Sequence, residues 1–134
     1  MIKILPYTKE LLADFKYDGV EKEISGENIT DMVEFYSKLG PSFVGVVNGK
    51  VLGVAGLYPL WKQSGSCYLF MNKDATQYKK SVFKILLEYM NALIKQYDIK
   101  ILMVECIENV SAVSLIEHLG FKKFKEIIMS MYLK

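Results

Sequence analysis

The 134-residue chain contains no arginine, because all 17 of its basic residues are lysines. Arginine is the side chain that clamps phosphate or carboxylate in a bidentate manner and reads the edges of guanine. A phosphate site in this chain has to use lysine charges and backbone N–H groups instead. The formal net charge is only +2, which is far from the concentrated positive charge of a dedicated nucleic-acid binder. We therefore expect no tight nucleic-acid partner.

Cysteine and histidine are also scarce, with two cysteines and one histidine. Cys67 and Cys106 both lie inside apolar runs, outside any Cys-x-x-Cys pair or Cys/His cluster, so we expect reduced, buried thiols and no metal site. No apolar run approaches the roughly 20 residues of a transmembrane helix, and the run at the amino terminus is too short for a signal peptide. The sequence therefore predicts a soluble cytoplasmic protein with no membrane partner.

Apolar residues, by contrast, make up 51% of the chain, which is enough to form the core of one ordinary domain. No internal repeat, low-complexity tract or linker rich in proline or serine divides the sequence. Residues 1–134 are therefore predicted to form a single domain.

The first half of the chain predicts a strand, two helices and an antiparallel meander. Its clearest local signal is Asn48-Gly49, which separates two β-branched runs and favours the positive φ angles of a type I′ hairpin turn. Thr8 is a candidate N-cap for the first helix, and Gly40-Pro41 ends the second. The predicted bounds are strand 2–5, a helix from Thr8 through Phe15, helix 31–39, strands 43–47 and 51–57, a loop over 59–66, and strand 67–71.

The second half predicts a long amphipathic helix over about 76–97, because apolar residues recur there every three and four positions. Residues 101–107 are almost continuously apolar, as in a central strand covered on both faces. Asn109 or Ser111 caps a further helix that ends at Gly120, and residues 121–134 alternate like a terminal strand. The element order is βα(α)βββαβαβ, which predicts a mixed α/β fold.

That order resembles the GNAT superfamily of acetyltransferases. Two segments carry the resemblance: the hairpin over 44–56, VGVVNGKVLGVAG, and the run from Asn109-Val110-Ser111-Ala112 into Gly120-Phe121, which is similar to the family's "Asn-x-x-Ala … Gly-Phe" ending. With the element order, the likeness spans nearly the whole chain. The size and the lysine-rich entry to the long helix also resemble small phage-encoded GNAT-like proteins, some of which are virion components.

The resemblance implies a GNAT-like fold, with a central mixed sheet that is splayed between its fourth and fifth strands and has helices on both faces. Acetyl-CoA would lie between 67–71 and 101–107. Its pantetheine would pair with the backbone of Leu69, Phe70 and Met71, and Asn109 would contact it from the other side. Its pyrophosphate would lie at the N-terminus of the long helix, where free N–H groups and the helix dipole favour an anion.

The family's phosphate loop reads Arg/Gln-x-x-Gly-x-Gly/Ala, and the corresponding residues here are Tyr78, Lys79, Lys80, Ser81, Val82 and Phe83. Ser81 keeps a small side chain, whereas Phe83 is large where backbone has to approach phosphate closely. Phe83 either packs in the core or narrows the pocket in which the pyrophosphate would bind. Lys79 and Lys80 either add positive charge to the pocket or are solvated.

The resemblance also places the family's usual general acid, a tyrosine, at the position held here by Ile116, which has no proton to donate. Glu105, at the carboxyl end of the apolar fifth strand, is the candidate general base if burial makes it a stronger base. The alternative for Glu105 is a carboxylate that is solvated or paired with a lysine. His118 is expected to complement the C-terminal dipole of its helix.

The aromatic residues before the fourth strand form a further candidate group. Tyr58, Trp61 and Tyr68 either line an acceptor pocket or pack beside the meander.

Three functions are compatible with these residues. The first is transfer of acetyl from acetyl-CoA to an amine of a small molecule or protein, with the cofactor held for proximity. The second is a non-catalytic GNAT-fold protein, acting as a phage virion component or a protein-binding module, which the altered phosphate loop and Ile116 favour. The candidate protein partners are a second copy of the chain, in a homodimer, or a virion protein. The third is a nucleobase-modifying enzyme, which the lack of arginine argues against.

Overall fold

The computed structural model describes residues 2–13, 15, 29–104 and 117. Within these residues, helices and strands follow in the predicted order. The bounds are β1 Lys3–Pro6, α1 Lys9–Leu12, α2 Ile29–Ser37, β2 Ser42–Val47, β3 Lys50–Trp61, β4 Ser64–Met71, a 3-10 helix Lys73–Tyr78, α3 Lys79–Gln96 and β5 Ile101–Val104.

The five strands form one mixed sheet in which they lie side by side in chain order. Strands β1 to β4 form an antiparallel meander, and β5 is parallel to β4. The predicted mixed α/β class with an amino-terminal antiparallel meander is therefore confirmed. The parallel pairing runs from Ser64/Ile101 to Cys67/Val104, after which β4 continues to Met71.

The hairpin between β2 and β3 turns at the predicted residues. Asn48 and Gly49 have φ angles of 50° and 77°, which are the two positive values that a type I′ turn requires. The backbone conformation that this dipeptide favours is thus the one that the strands need.

The predicted loop over 59–66 is wrong, because β3 extends to Trp61 and β4 begins at Ser64. The turn between them consists of Lys62 and Gln63, with φ angles of 33° and 64°. Neither residue belongs to the Asn and Gly pair that normally signals such a turn, so no local pattern predicts a tight hairpin here. Pro59 has no amide hydrogen, and none is needed at this position. On the β2 side, β3 has already passed the end of β2, so no partner is left for an amide donor there.

Helix boundaries agree with the local capping chemistry. The Leu11 amide donates to the Thr8 hydroxyl at 3.2 Å, which confirms the predicted N-cap of α1. Helix α2 ends before Gly40, where a Cβ atom would collide with the Leu57 carbonyl. Helix α3 begins three residues later than predicted because the preceding residues form the 3-10 helix.

Helices α1 and α2 cover one face of the sheet. Their Leu12 and Val33 pack with Val44, Val54 and Phe70 of the central strands, and all five side chains are buried. This apolar layer fixes α2 across the sheet. Within the described residues, no helix is long and apolar enough to span a bilayer.

Helix α3 faces the opposite side of the sheet, across an apolar cavity of about 80 Å³. Gly45 and Gly53 face this cavity and leave it without side chains at those two positions. The side chains that line it come from all four antiparallel strands and from α3, and include Ile4, Phe43, Leu69, Met71, Val82, Leu86 and Tyr89.

We predict that Gly45→Ala stabilises the protein by about 0.5 to 1 kcal/mol, because it removes flexibility from the unfolded chain and adds a methyl group to the cavity. A Cβ atom at Gly45 would lie 3.6 Å from Ile2 Cγ2 and 3.8 Å from Ile4 Cδ1, which are ordinary contacts. The measurement is the free energy of unfolding in urea.

Gly53→Ala is the matched control, since its Cβ atom would lie 2.6 Å from the Phe70 carbonyl oxygen. We expect this variant to lose about 1 to 3 kcal/mol. Equal destabilisation by both substitutions would show that the cavity is not open at Gly45.

Candidate functional site

One edge of β4 carries backbone groups that its antiparallel neighbour does not use. The Asn72 amide donates to the Leu52 carbonyl at 2.9 Å, and these two residues continue the β3/β4 register as a directly opposed pair. In an antiparallel ladder, such hydrogen-bonded pairs alternate with pairs that are not bonded. Phe70 therefore bonds to β3, whereas Leu69 and Met71 direct their N–H and C=O groups away from it.

That outward edge lies on the side where β4 meets β5. The last residue pair between the two strands is Cys67/Val104, and β4 runs four residues further. Within the described residues, no strand takes the outward backbone groups of Leu69 and Met71. A ligand with amide groups can therefore pair with these two residues as an added strand would.

Phe70 differs from its two neighbours. Its side chain is buried in the core between the sheet and α2, and its backbone groups face β3. Of the three β4 residues predicted to contact pantetheine, Leu69 and Met71 thus have outward backbone groups and Phe70 does not. The contact itself stays a prediction for all three.

The N-terminus of α3 follows directly from the carboxyl end of β4 through the 3-10 helix. Its N-cap residue is Tyr78, which makes no capping hydrogen bond with its side chain, and the first turn contains no acidic residue. Lys79, Lys80 and Ser81 in that first turn are exposed. The positive end of the helix dipole and two lysine charges therefore lie together, which favours an anion such as phosphate.

The residues that correspond to the family's phosphate loop lie in the first turns of α3, within the helix predicted over about 76–97. Only Tyr78 precedes α3, and the 3-10 helix leads into the α-helix without an intervening glycine turn. Val82 lines the cavity, so its side chain faces the sheet, and Phe83 is half-buried. A phosphate at this helix end would meet lysines and backbone N–H groups, but not the glycine-lined cradle of the family's motif.

Tyr68 comes directly after Cys67, the last β4 residue in a described pair with β5. Its phenol points toward β3 and away from β5. The ring crosses Gly56 on β3, where an added Cβ would lie 2.5 Å from the Tyr68 hydroxyl oxygen. That hydroxyl forms a short hydrogen bond with the Ser42 hydroxyl on β2. Gly56 and Ser42 therefore hold the phenol over the middle of the sheet.

Three tyrosines form a cluster on the α2 face of the sheet. The Tyr36 ring stacks on Tyr58 with centroids 5.0 Å apart and lies 4.9 Å from the Tyr68 ring. Tyr58 and Tyr68 were predicted to lie together, and the structure brings them together around Tyr36. Trp61, the third member of the predicted group, is 65% exposed at the end of β3.

Sequence reasoning missed Tyr36 and Ser42 as partners of Tyr68. Tyr36 lies three positions after Val33, on the apolar face of α2, so its helical spacing was a usable signal. The contact between Ser42 and Tyr68 spans 26 positions in sequence, and no local pattern indicates it.

Tyr68 and Tyr7 keep their phenol protons at neutral pH. Burial is the main cause that raises the pKa of Tyr68 to about 12, against a smaller opposing effect of its hydrogen bond with Ser42. Burial also raises the pKa of Tyr7, as does its hydrogen bond to Glu34, in which the Tyr7 hydroxyl donates to Oε2 at 2.6 Å. Neither phenol is suited to act as a general base.

The described part of the chain excludes Glu105, Cys106, Asn109, Ser111, Ile116 and His118, and also the Gly120-Phe121 ending and the predicted strand over 121–134. The proposed base, the proposed pantetheine contact and the replaced general acid therefore stay predictions. In the part of the chain that the structure describes, no group of three or more His, Cys, Asp or Glu side chains is placed to hold a metal ion.

Solved structures with a similar fold include a GNAT-family acetyltransferase from Staphylococcus aureus Mu50, with 20% identity, coverage of 94% of this chain and 87% of that chain, and a TM-score of 0.72. The chain has the GNAT fold. An acetyltransferase from Bacillus subtilis in complex with CoA is also similar, with 17% identity, 92% and 77% coverage, and a TM-score of 0.66.

A third GNAT-fold structure, a GNAT-family acetyltransferase from Elizabethkingia anophelis, has acetyl-CoA bound. It is 16% identical, covers 92% of this chain and 78% of its own, and has a TM-score of 0.63. No family model matches the sequence, and no curated protein sequence matches it. These likenesses establish the fold, and the activity has to be argued from the site.

Cys67 is a free thiol in the last described β4/β5 pair and is placed to donate weakly to the Met103 carbonyl at 3.5 Å. Burial raises its pKa from 9.0 to about 12. At pH 8 only about one thiol in ten thousand is then ionised. Cys67 is therefore unsuited to carry an acyl group as a nucleophile.

We predict that Cys67 resists thiol reagents in the folded protein. In a Cys106→Ser background at pH 8, we expect labelling to be at least about a hundredfold slower in native protein than in urea-unfolded protein, because the raised pKa suppresses ionisation of the thiol in the folded state. Burial of the neutral Cys67 thiol also stabilises the folded protein, and this stabilisation is complete below pH 9. Because the pKa of Cys67 is raised in the folded state, the stabilisation is lost as the pH rises from 9 through about 12. Similar labelling rates in the two states would contradict this assignment.

Proposed function

We propose that this protein is an acyltransferase of the GNAT type, which binds acetyl-CoA along β4 and transfers its acetyl group to an amine of a small molecule or protein. The observation that carries the proposal is the outward backbone edge at Leu69 and Met71. It leads directly to a helix N-terminus with two exposed lysines and no acidic residue. Neighbours with the same fold have been solved with CoA or acetyl-CoA bound.

The two halves of this surface suit the two chemical parts of the cofactor. Outward N–H and C=O groups on β4 match the amides of a pantetheine arm, which pairs as a short strand would. The N–H groups of the first turn of α3, with Lys79 and Lys80, match the charge of a pyrophosphate. Since the chain has no arginine, these lysines and N–H groups replace the bidentate clamp that arginine would provide.

Bound acetyl-CoA supplies the activated thioester, and the protein's main contribution is to position it. Holding donor and acceptor together removes much of the entropy cost of a reaction between two molecules. An outward N–H on β4 can hydrogen-bond the thioester carbonyl and stabilise negative charge that develops on its oxygen. Glu105 accepts the proton of the attacking amine, and the departing thiolate takes its proton from water because Ile116 cannot donate one.

A non-catalytic role is the second candidate, and the geometry at the start of α3 favours it. The phosphate-loop positions are helical and contain no glycine, and Phe83 is half-buried beside them. In this alternative the GNAT fold serves as a scaffold that binds another protein, for example as a virion component. Cofactor binding separates the two candidates.

We predict that acetyl-CoA and CoA both bind the protein with dissociation constants below about 1 mM, which corresponds to about 4 kcal/mol. The double variant Lys79→Gln/Lys80→Gln is expected to weaken binding about tenfold, because it removes two charges beside the phosphates. Isothermal titration calorimetry measures both quantities.

Lys95→Gln, in the last turn of α3, is the matched control and is expected to leave this affinity unchanged. If wild-type protein binds neither ligand, the transferase proposal fails and the scaffold role stands. If the control weakens binding as much as the double variant, the ligand is not held at the N-terminus of α3.

We predict that Glu105→Gln lowers acetyl transfer to an amine by about a hundredfold or more at neutral pH, because the amide cannot accept the proton. Acetyl-CoA affinity is expected to stay within about twofold of wild type, since Glu105 is assigned to the acceptor's proton and not to the cofactor. The measurement is CoA thiol release with an amine acceptor, together with calorimetric affinity. Unchanged turnover across the pH range would remove Glu105 from the mechanism.

A further inference from the structure

Four large apolar side chains are exposed at the end of the sheet opposite to the N-terminus of α3. Trp61 is 65% exposed, and Leu60, Ile101 and Tyr97 are 46%, 44% and 38% exposed. We name this surface the distal patch, and it includes the neighbouring Lys62 and Lys100. The four residues lie at one end of the domain, with Trp61 and Ile101 on the α2 face of the sheet and Tyr97 at the end of the helix that covers the other face.

Backbone contacts hold the two parts of the distal patch together. The Gln63 carbonyl accepts from the Lys100 amide at 2.7 Å and from the Ile101 amide at 3.1 Å, which ties the β3/β4 turn to the start of β5. Trp61 and Ile101 both lie opposite Ser64 in adjacent strand pairs. Since directly paired residues point to the same face of a sheet, Trp61 and Ile101 flank the small Ser64 side chain on one face.

The charge of the distal patch is predominantly positive. The Lys62 ammonium lies 5.8 Å from the centroid of the Trp61 ring, and Lys100 is exposed beside Ile101. Asp98 is the nearby acid, and one of its carboxylate oxygens accepts from the Gln63 side chain at 2.8 Å. A partner of this surface therefore has to combine negative charge with an apolar interior.

On the β3 side, the distal patch extends beyond the neighbouring strand β2. The last β2/β3 pair is Ser42/Gly56, and β3 runs five residues beyond it to Trp61. Five residues of extended strand span about 16 Å. On its other side the hairpin stays paired with β5 as far as Ser64.

We propose that the distal patch binds the surface of a membrane that contains anionic lipids. Tryptophan and tyrosine place an apolar ring and a polar group together at a lipid interface, leucine and isoleucine enter the acyl region, and lysines pair with lipid phosphates. The expectation of no membrane partner rested on the lack of a spanning segment, and it does not bear on surface contact. A second copy of the chain fits this surface less well, because it would bring lysines of like charge together.

Bound in this way, the protein keeps its cofactor site in water. Helix α3 has 18 residues and is therefore about 27 Å long. The distal patch adjoins its C-terminus, and the proposed phosphate site lies at its N-terminus. The proposal does not depend on the transferase activity.

Trp61 is the only tryptophan in the chain, so intrinsic fluorescence reports on the distal patch directly. We expect its emission to shift to shorter wavelength with vesicles of phosphatidylcholine and phosphatidylserine, and to shift much less with phosphatidylcholine alone. Co-sedimentation with the same vesicles gives the affinity. We expect Lys62→Gln and Lys100→Gln each to weaken it about fivefold, because each lysine contributes about 1 kcal/mol near an anionic surface.

Lys50→Gln is the matched control, since Lys50 is an exposed lysine at the opposite end of β3, and it is expected to bind like wild type. Trp61→Ala, followed by co-sedimentation, is expected to lose binding while its thermal unfolding stays that of wild type. No emission shift with anionic vesicles, or equal binding to neutral vesicles, overturns the proposal. An emission shift that grows with protein concentration without vesicles also overturns it, in favour of a second copy.

Discussion

The register between β3 and β4 is the constraint on which the rest of the structure depends. The two strands stay opposed from the Gly53/Met71 pair to the Pro59/Gly65 pair. Along a strand, the direction of the side chain and the direction of the backbone hydrogen bonds both alternate from one residue to the next. This single register therefore sets three properties together. It buries Phe70 under α2, directs Leu69 and Met71 toward the cavity below α3, and leaves the backbone groups of those same two residues pointing outward.

Glycines at close contacts make that register possible. A side chain at Gly53 would collide with backbone of β4, and one at Gly56 would collide with the Tyr68 phenol. Gly56 thereby allows Tyr68 to reach across β3 to Ser42 on β2, which joins three strands on the α2 face. Tyr58 and Tyr68, two of the three aromatic residues predicted to line an acceptor pocket or pack beside the meander, pack around Tyr36, whereas Trp61 is exposed.

Much of the fold was predictable because its signals are local. Asn48-Gly49 favours a hairpin through its own backbone preferences, and Thr8 caps α1 through its own hydroxyl. The turn at Lys62 and Gln63 was missed because its residues do not favour positive φ angles, and strand pairing on both sides imposes them. The late start of α3 was missed for a related reason, since 3-10 and α-helical residues share the same apolar spacing over one turn.

The candidate site was less predictable, because it consists of backbone geometry and not of distinctive side chains. The sequence indicated β4 and the start of the long helix through resemblance to the GNAT family. The sequence did not show that Phe70 bonds to β3 while the backbone groups of Leu69 and Met71 face outward. Which residues of a strand face outward depends on the register with its neighbour. The lack of glycine at the phosphate-loop positions and the helical conformation of Lys79 and its neighbours, by contrast, were both visible in the sequence.

Amide hydrogen exchange at β4, with and without CoA, tests the central claim most directly. The account predicts that CoA slows exchange at Leu69 or Met71, or at both, while Phe70 is already slow without ligand because its amide bonds to β3. If CoA binds and leaves exchange at both Leu69 and Met71 unchanged, the open edge of β4 is not its binding site.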